Sequence, residues 1–381
     1  MANRATYKAA RTIAATVENH FAHHIAEARL QGEQDLSPAP TAQEIERLID
    51  VAFWASLRRE EGNSPKVSLA FLPPEQATEP LLFAEKLPLT ASVLTKLSPG
   101  IERPGIHLGV WHNNGDLYIW GAMHGIRALC LILDVSEPGL LVIKHRRLAG
   151  FGKFVNLAVL KGDQIKIIDE SNLNLPDCPA VLSSLLGFTS PKTWNDSVNV
   201  MVQLAVSMRS HKHGGALLVV PSTHHSWQDS IVHPVSYAVS PSFSGLADLV
   251  MQSESEKIQK NLWQSAIRRE VDSLAGLTAV DGATIVNDKY ELIAFGAKIT
   301  RATQGKTIEQ IVYTEPVVGS KAAIIHPAQY GGTRHLSAAQ FVQDQQDAIA
   351  LVASQDGRFT IFSWSPCEGM VHAHRVDTLL L

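Results

Sequence analysis

Two short runs toward the C-terminal end of the chain hold residue types suited to phosphate and metal chemistry: Asp281-Gly282-Ala283 and Gly332-Thr333-Arg334-His335. Asp281 supplies a carboxylate able to hold a divalent cation or to help a sugar hydroxyl lose its proton, beside a glycine that lets backbone come close to a ligand. In the second run, a glycine and a hydroxyl residue lead into a helix. The first turn of a helix offers unpaired N–H groups and the positive end of the dipole to a phosphate. Arg334 adds a fork of donors matched to phosphate oxygens, and His335 can donate to phosphate or ligate a metal. Taken singly, each run is ordinary turn chemistry.

The neighbouring elements give the runs their meaning. A helical pattern over 258–277 precedes Asp281, and apolar runs at 283–286 and 290–295 flank a turn-prone Asn287-Asp288, so the order reads helix, motif, hairpin. After Gly331-Gly332, residues 337–346 read as a helix that buries Ala338, Phe341 and Val342. A strand at 348–354 follows, then Asp356-Gly357 as a turn into a strand at 358–364.

In order and context these motifs resemble the diadenylate cyclase domain of bacteria and archaea, which condenses two ATP molecules into cyclic di-AMP and two pyrophosphates. The resemblance covers roughly the last third of the chain. It implies that Asp281, Gly282 and Ala283 are catalytic, with Asp281 binding a metal or activating the attacking 3′-hydroxyl, and that Gly332, Thr333, Arg334 and His335 hold the triphosphate. It further implies Ser354 as a phosphate-site residue, His335 and Asp356 as further metal ligands, and Mg²⁺ or Mn²⁺ as cofactor, with Co²⁺ as an alternative. Leu336 stands where the family usually has a second arginine, and Ser354-Gln355-Asp356 match only part of the family's next segment. One such domain holds one ATP, so the resemblance implies a homo-oligomer in which two sites face each other. Without the second arginine, a nucleotide-binding module that makes no product is the alternative reading, and an assembly protein the third.

The chain has 381 residues, 45% hydrophobic and 18% charged, with a formal charge of −4. That composition supports two ordinary cores and argues against broad electrostatic binding of nucleic acid. Cys130, Cys178 and Cys367 are too few and too widely spaced for a disulfide framework or a metal motif, and read as reduced thiols. No apolar run reaches the roughly 20 residues of a membrane helix, and residues 1–30 lack the pattern of a signal peptide. A cytoplasmic protein without a membrane partner is the expectation.

The rest of the chain reads as a helix at 5–30, and a second opened by Thr41 with Ile45, Leu48, Ile49, Ala52 and Phe53 at helical spacing. Short strands follow at 106–111, 117–121, 128–133, 140–143, 157–160 and 165–168, then a helix at 195–210 and a buried-type strand at 216–220. The Gly214–Pro221 run with Trp227 resembles the DACNV type of predicted sensor domain, implying an unknown small ligand. Arg209, His211, Lys212 and His213 before that strand, and His224-His225 after it, are either a small-molecule site or solvated loop residues. His145-Arg146-Arg147 reads as a solvated turn whose surroundings faintly echo Arg334-His335, and His372 and His374 as residues of an exposed strand edge. The expected architecture is α/β with two domains, each a mixed β-sheet with packed helices: a sensor-like domain over 1–240 and a diadenylate cyclase-type domain over 241–381. Residues 246–277 would link them.

Overall fold

The computed structural model describes residues 5–103, 105–113, 115–148, 154–169, 196–252 and 260–381. The chain is mixed α/β and divides into two units, the first reaching Ile168 and the second including residues 191–380. The division falls well before the expected boundary at residue 240. The physical reason is that the strand Gly215–Val220 sits in the middle of the second sheet, so it cannot belong to the first unit. Cys178 and the start of the helix expected at 195 and 258 lie outside the described residues.

In the first unit, helix Ala42–Ser56 is started by a reciprocal cap in which Thr41 and Glu44 bond each other's backbone. Ile45, Leu48, Ile49 and Ala52 form its buried stripe. The sheet comprises β1 (Val67–Phe71), β2 (Leu81–Pro88), β3 (His107–Asn113), β4 (Asp116–Met123), β5 (Leu131–Glu137), β6 (Leu140–Arg146), β7 (Phe154–Lys161) and β8 (Gln164–Ile167), in the order β2-β4-β3-β1-β5-β6-β7-β8. Only β1 and β3 run parallel; helix Ala91–Ile101, started by Thr90, makes the crossover between them.

The second unit has β9 (Gly215–Val220), β10 (Tyr237–Phe243), β11 (Ala283–Asn287), β12 (Leu292–Ala297), β13 (Ile311–Thr314), β14 (Ala323–Ile325), β15 (Ile349–Ala353), β16 (Phe359–Ser365) and β17 (Met370–Arg375). Their order is β10-β12-β11-β9-β15-β16-β17-β13-β14. Strand for strand, the first seven positions repeat the first unit. Again a helix precedes the first strand (Asp196–Ser210), and again a helix (Lys260–Leu277) makes the crossover into a parallel neighbour, β11 beside β9. The repeat matches β1 with β9, β3 with β11, β5 with β15 and β6 with β16. It does not match the His145-Arg146-Arg147 echo. His145 lies in β6, whereas Arg334 and His335 lie in a segment, 298–348, that the first unit replaces with residues 124–130.

Within that segment, helix Thr333–Asp344 covers one face of the second sheet. Its Ala338, Ala339, Phe341 and Val342 pack with Ala216, Leu218, Ala283, Ile285, Ala350, Val352 and Phe362. Because strand residues alternate between faces, Leu217, Val286 and Leu351 point to the other side, where they are also buried. Helices Asp196–Ser210 and Lys260–Leu277 pack on each other, and the first of them touches β15.

Candidate functional site

The Asp281 motif sits where helix Lys260–Leu277 hands over to β11. Gly282 has φ +111°, and a Cβ there would lie 2.5 Å from the carbonyl carbon of Gly296 in β12. Only glycine permits that approach, and it lets the β11 and β12 ends close around the motif. The second motif opens helix Thr333–Asp344, four residues earlier than its apolar periodicity indicates, because the leading turn is polar and carries no periodic signal. Gly332 is the extended N-cap residue, and its carbonyl accepts from the N–H groups of His335 and Leu336.

The two motifs meet at a cleft of about 200 Å³ lined by Asp281, Gly282, Ala283, Lys298, Thr333, Arg334 and Ser337, among others. Lys298, just past the end of β12, donates to Asp281 Oδ2 at 2.5 Å. That bond, the Lys298 charge and the more distant Arg334 hold the Asp281 carboxyl below the usual carboxylate range. Both partners are largely exposed at the mouth, so the pair can open to a ligand at little cost. Arg334 is half-buried, and its guanidinium lies close over Gly214: a Cβ there would sit 3.1 Å from Nη1 and 3.3 Å from the Ala353 carbonyl oxygen. The cleft therefore presents one ionised carboxylate, two cations and two hydroxyls. Lys298 and Ser337 were not among the residues singled out from sequence. Nothing local marks Lys298, and only the pairing of β12 with β11 brings it to Asp281.

The other expected site residues stand elsewhere. His335 turns inward from the same turn that carries Arg334, edge-on to Tyr330 and Phe362, with a Gly331 that has no room for a side chain above it. Burial pushes its pKa down to about 4, so it is a neutral packing residue rather than a lining group of the cleft. Ser354 and Asp356 close the β15–β16 turn. The Ser354 hydroxyl and the Arg358 N–H bond the Asp356 carboxylate, which also pairs with Arg358 Nε at 3.1 Å. Leu336 packs partly buried against the apolar core of the second sheet. Among the described residues no group of three or more His, Cys, Asp or Glu side chains is arranged to hold a metal. A divalent ion at the cleft would thus have Asp281 as its carboxylate ligand, and Mg²⁺ accepts one carboxylate with other oxygen ligands.

The histidine-rich loops are structural in part. Arg209 donates to the carbonyls of Gly357 and Leu380, His211 bonds Thr278, and His224 pairs with Asp347 at 2.6 Å. His372 and His374 do not mark an edge, since β17 is paired on both sides and both rings are buried. His374 bonds Thr314, and His372 bonds Glu368. Nor is His145 solvated. It is fully buried, packed against His20, His24 and Phe21 of helix Lys8–Leu30.

Fold and site together describe a twice-repeated mixed-sheet α/β protein whose second repeat carries a charged cleft under an added helix. Residues 34–124 match the family described as a probable sensor domain, DACNV. A sensor domain of this type is therefore present, and it spans helix Ala42–Ser56 through β4 of the first unit. The resemblance seen in Gly214–Pro221 falls on β9, the counterpart of β1 in the second unit, so the matched residues are not the expected ones. No curated protein matches the chain. One solved structure, described as a hypothetical membrane spanning protein from Bacillus cereus, is similar at 14% identity with a TM-score of 0.27. The likeness covers 48% of this chain and 65% of that one, less than two thirds of its length, and at this level carries no argument. Among the described residues, no helix is long and apolar enough to cross a membrane.

Proposed function

We propose that the second unit is a nucleotidyltransferase that condenses two ATP molecules into cyclic di-AMP and two pyrophosphates across facing copies, under control of the sensor-type first unit. The observation that carries this reading is the convergence of Asp281, Gly282 and Ala283 with Thr333, Arg334 and Lys298 on one cleft. Arg334, Thr333 and the start of their helix would hold the triphosphate, and Lys298 would leave Asp281 for a phosphate oxygen. Asp281, ionised at neutral pH, would then face the 3′-hydroxyl that must lose a proton. A divalent ion, when bound, supplies neutralisation of the pyrophosphate charge. Such transfer depends on in-line placement and charge stabilisation more than on covalent catalysis. The cleft is smaller than the roughly 300–1,000 Å³ of a site that encloses a small molecule, which suits a half-site completed by a second copy.

A second reading, nucleotide binding without turnover, is favoured by Leu336, which adds apolar packing where the resembled family has a phosphate-binding arginine. Lys298 supplies a cation to the same cleft and so answers part of that loss. The deciding experiment is mass spectrometry of products after incubating the full chain with mixed nucleotides and Mg²⁺, Mn²⁺ or Co²⁺. Cyclic di-AMP is expected, reduced by at least about 10²-fold in Asp281→Asn. ATP binding with no cyclic product under any metal establishes the second reading. Neither binding nor product leaves assembly as the function.

A further inference from the structure

The repeat allows the two sheets to be compared residue by residue. Val67 and Gly215 open β1 and β9, and His107 and Ala283 open β3 and β11. In that register Ala70 pairs with Gly109 and Ile132, as Leu218 pairs with Ile285 and Ala350. Ser68 then occupies the place of Ala216, His107 that of Ala283, Asp134 that of Val352, and Lys144 that of Phe362. In the second unit all four positions are apolar and lie in the core beneath helix Thr333–Asp344. In the first unit all four are polar, and residues 124–130 provide no helix to cover them.

These four side chains are bonded to one another. The Ser68 hydroxyl donates to Asp134 Oδ1 at 2.6 Å and lies 2.7 Å from His107 Nδ1, and Lys144 pairs with Asp134 Oδ2. With the hydroxyl proton on Asp134, His107 must donate through Nδ1. Serine therefore sits between histidine and aspartate, and its proton points to a carboxylate already paired with Lys144 rather than to an imidazole acceptor, an order that suits binding rather than nucleophilic attack. Lys144 also lies over the Phe154 ring, 4.9 Å from its centroid, and the His107 ring meets Phe154 edge-on. Farther along the same face the sheet is closed by apolar packing of Trp120, Met123, Ile126 and Cys130. The polar end is left as a cleft of about 460 Å³, whose lining also includes Lys66, Glu102 and Arg103. Lys66 is neutralised by Glu102 at 3.0 Å, while Arg103 is exposed and has no ion pair among the described residues.

We infer that this cleft is the ligand site of the sensor-type unit and that it takes a small organic or inorganic anion, a carboxylate or phosphate. Arg103 meets the charge at the mouth, and Lys144, held by Asp134 but with further N–H groups on its ammonium, is the donor beneath. A polar network in place of an apolar core adds little stability, and binding a ligand is a role that would account for it. The inference stands apart from the proposed activity of the second unit, since every lining residue belongs to the first.

The test is calorimetric titration of the full chain carrying Arg334→Ala, so that the second cleft has lost its phosphate fork, with inorganic phosphate, citrate, AMP and adenosine as probes. Saturable binding of at least one anion, with adenosine silent, is expected. Arg103→Ala should weaken it at least tenfold, and so should the paired change Asp134→Val with Lys144→Met, which installs the apolar character of the second unit. Arg103 is exposed, so its variant keeps the test valid if the paired change fails to fold. Absence of saturable anion binding, binding indifferent to Arg103→Ala, or binding of adenosine alone overturns the inference.

Discussion

The two units share a strand order and differ in how they treat one face of it. In the second, residues 298–348 supply a helix, and the strands beneath answer with Ala216, Ala283, Val352 and Phe362. In the first, the corresponding connection is residues 124–130, and the strands answer with Ser68, His107, Asp134 and Lys144. Strand propensity and pairing tolerate either set, because what a strand residue prefers is dictated by what covers it. The same end of the same sheet thus becomes a closed core with a charged cleft at its rim in one unit, and an open polar cleft in the other.

Crossing the two solutions should break the weaker partner. Val352→Asp places in the second unit the carboxylate found at Asp134, but under a helix and beside Phe362 instead of Lys144. An unpaired charge there should cost about 3–5 kcal/mol, read as a lower denaturation midpoint for the second unit with the first unchanged. The next effect probes the rim. Gly282→Ala combines a positive φ with a Cβ 2.5 Å from the Gly296 backbone, so about 1–3 kcal/mol and an opened cleft are expected. The equivalent neighbourhood in the first unit has no such contact at Gly105, and Gly105→Ala should be milder, separating close approach from backbone strain.

The smallest effect per residue is one the units share. Burial lowers His20 to about 2 and His145 to about 4 in the first unit, and His335 to about 4 and His374 to about 3 in the second. In each case the folded state binds the proton less well than the unfolded chain, whose histidines titrate near 6.5. Stability is therefore full above pH 6.5 and is lost as pH falls from there toward the folded values. At pH 5.5 the loss is about 1.4 kcal/mol for each such histidine. Thermal melts between pH 7.5 and 5.5 should show both units declining; a flat profile would mean these rings are not buried neutral in solution.

Much of this was legible along the chain. Helix Ala42–Ser56 announced itself by Thr41 and a regular apolar stripe, and the Asn287 turn and the strands around residues 350 and 360 by local pattern. The placing of both motifs at element boundaries was readable for the same reason: turns and caps are local chemistry. Less legible were the insertion strands β13 and β14, too short to show alternation, and the histidines at 145, 372 and 374. Their burial depends on strands and helices distant in sequence.

Sequence by itself determined which groups were available: the carboxylate and glycine at 281–282, the Gly-Thr-Arg-His turn at 332–335, and an α/β chain with two mixed sheets. Only tertiary structure decided which of them face one another. Strand pairing brings Lys298 to Asp281, and the packing of helix Thr333–Asp344 on the sheet turns His335 away from it. It also gathers Ser68, His107, Asp134 and Lys144 from four strands into one network. Neighbours in a sheet are set by long-range pairing, and no local pattern of residues encodes that.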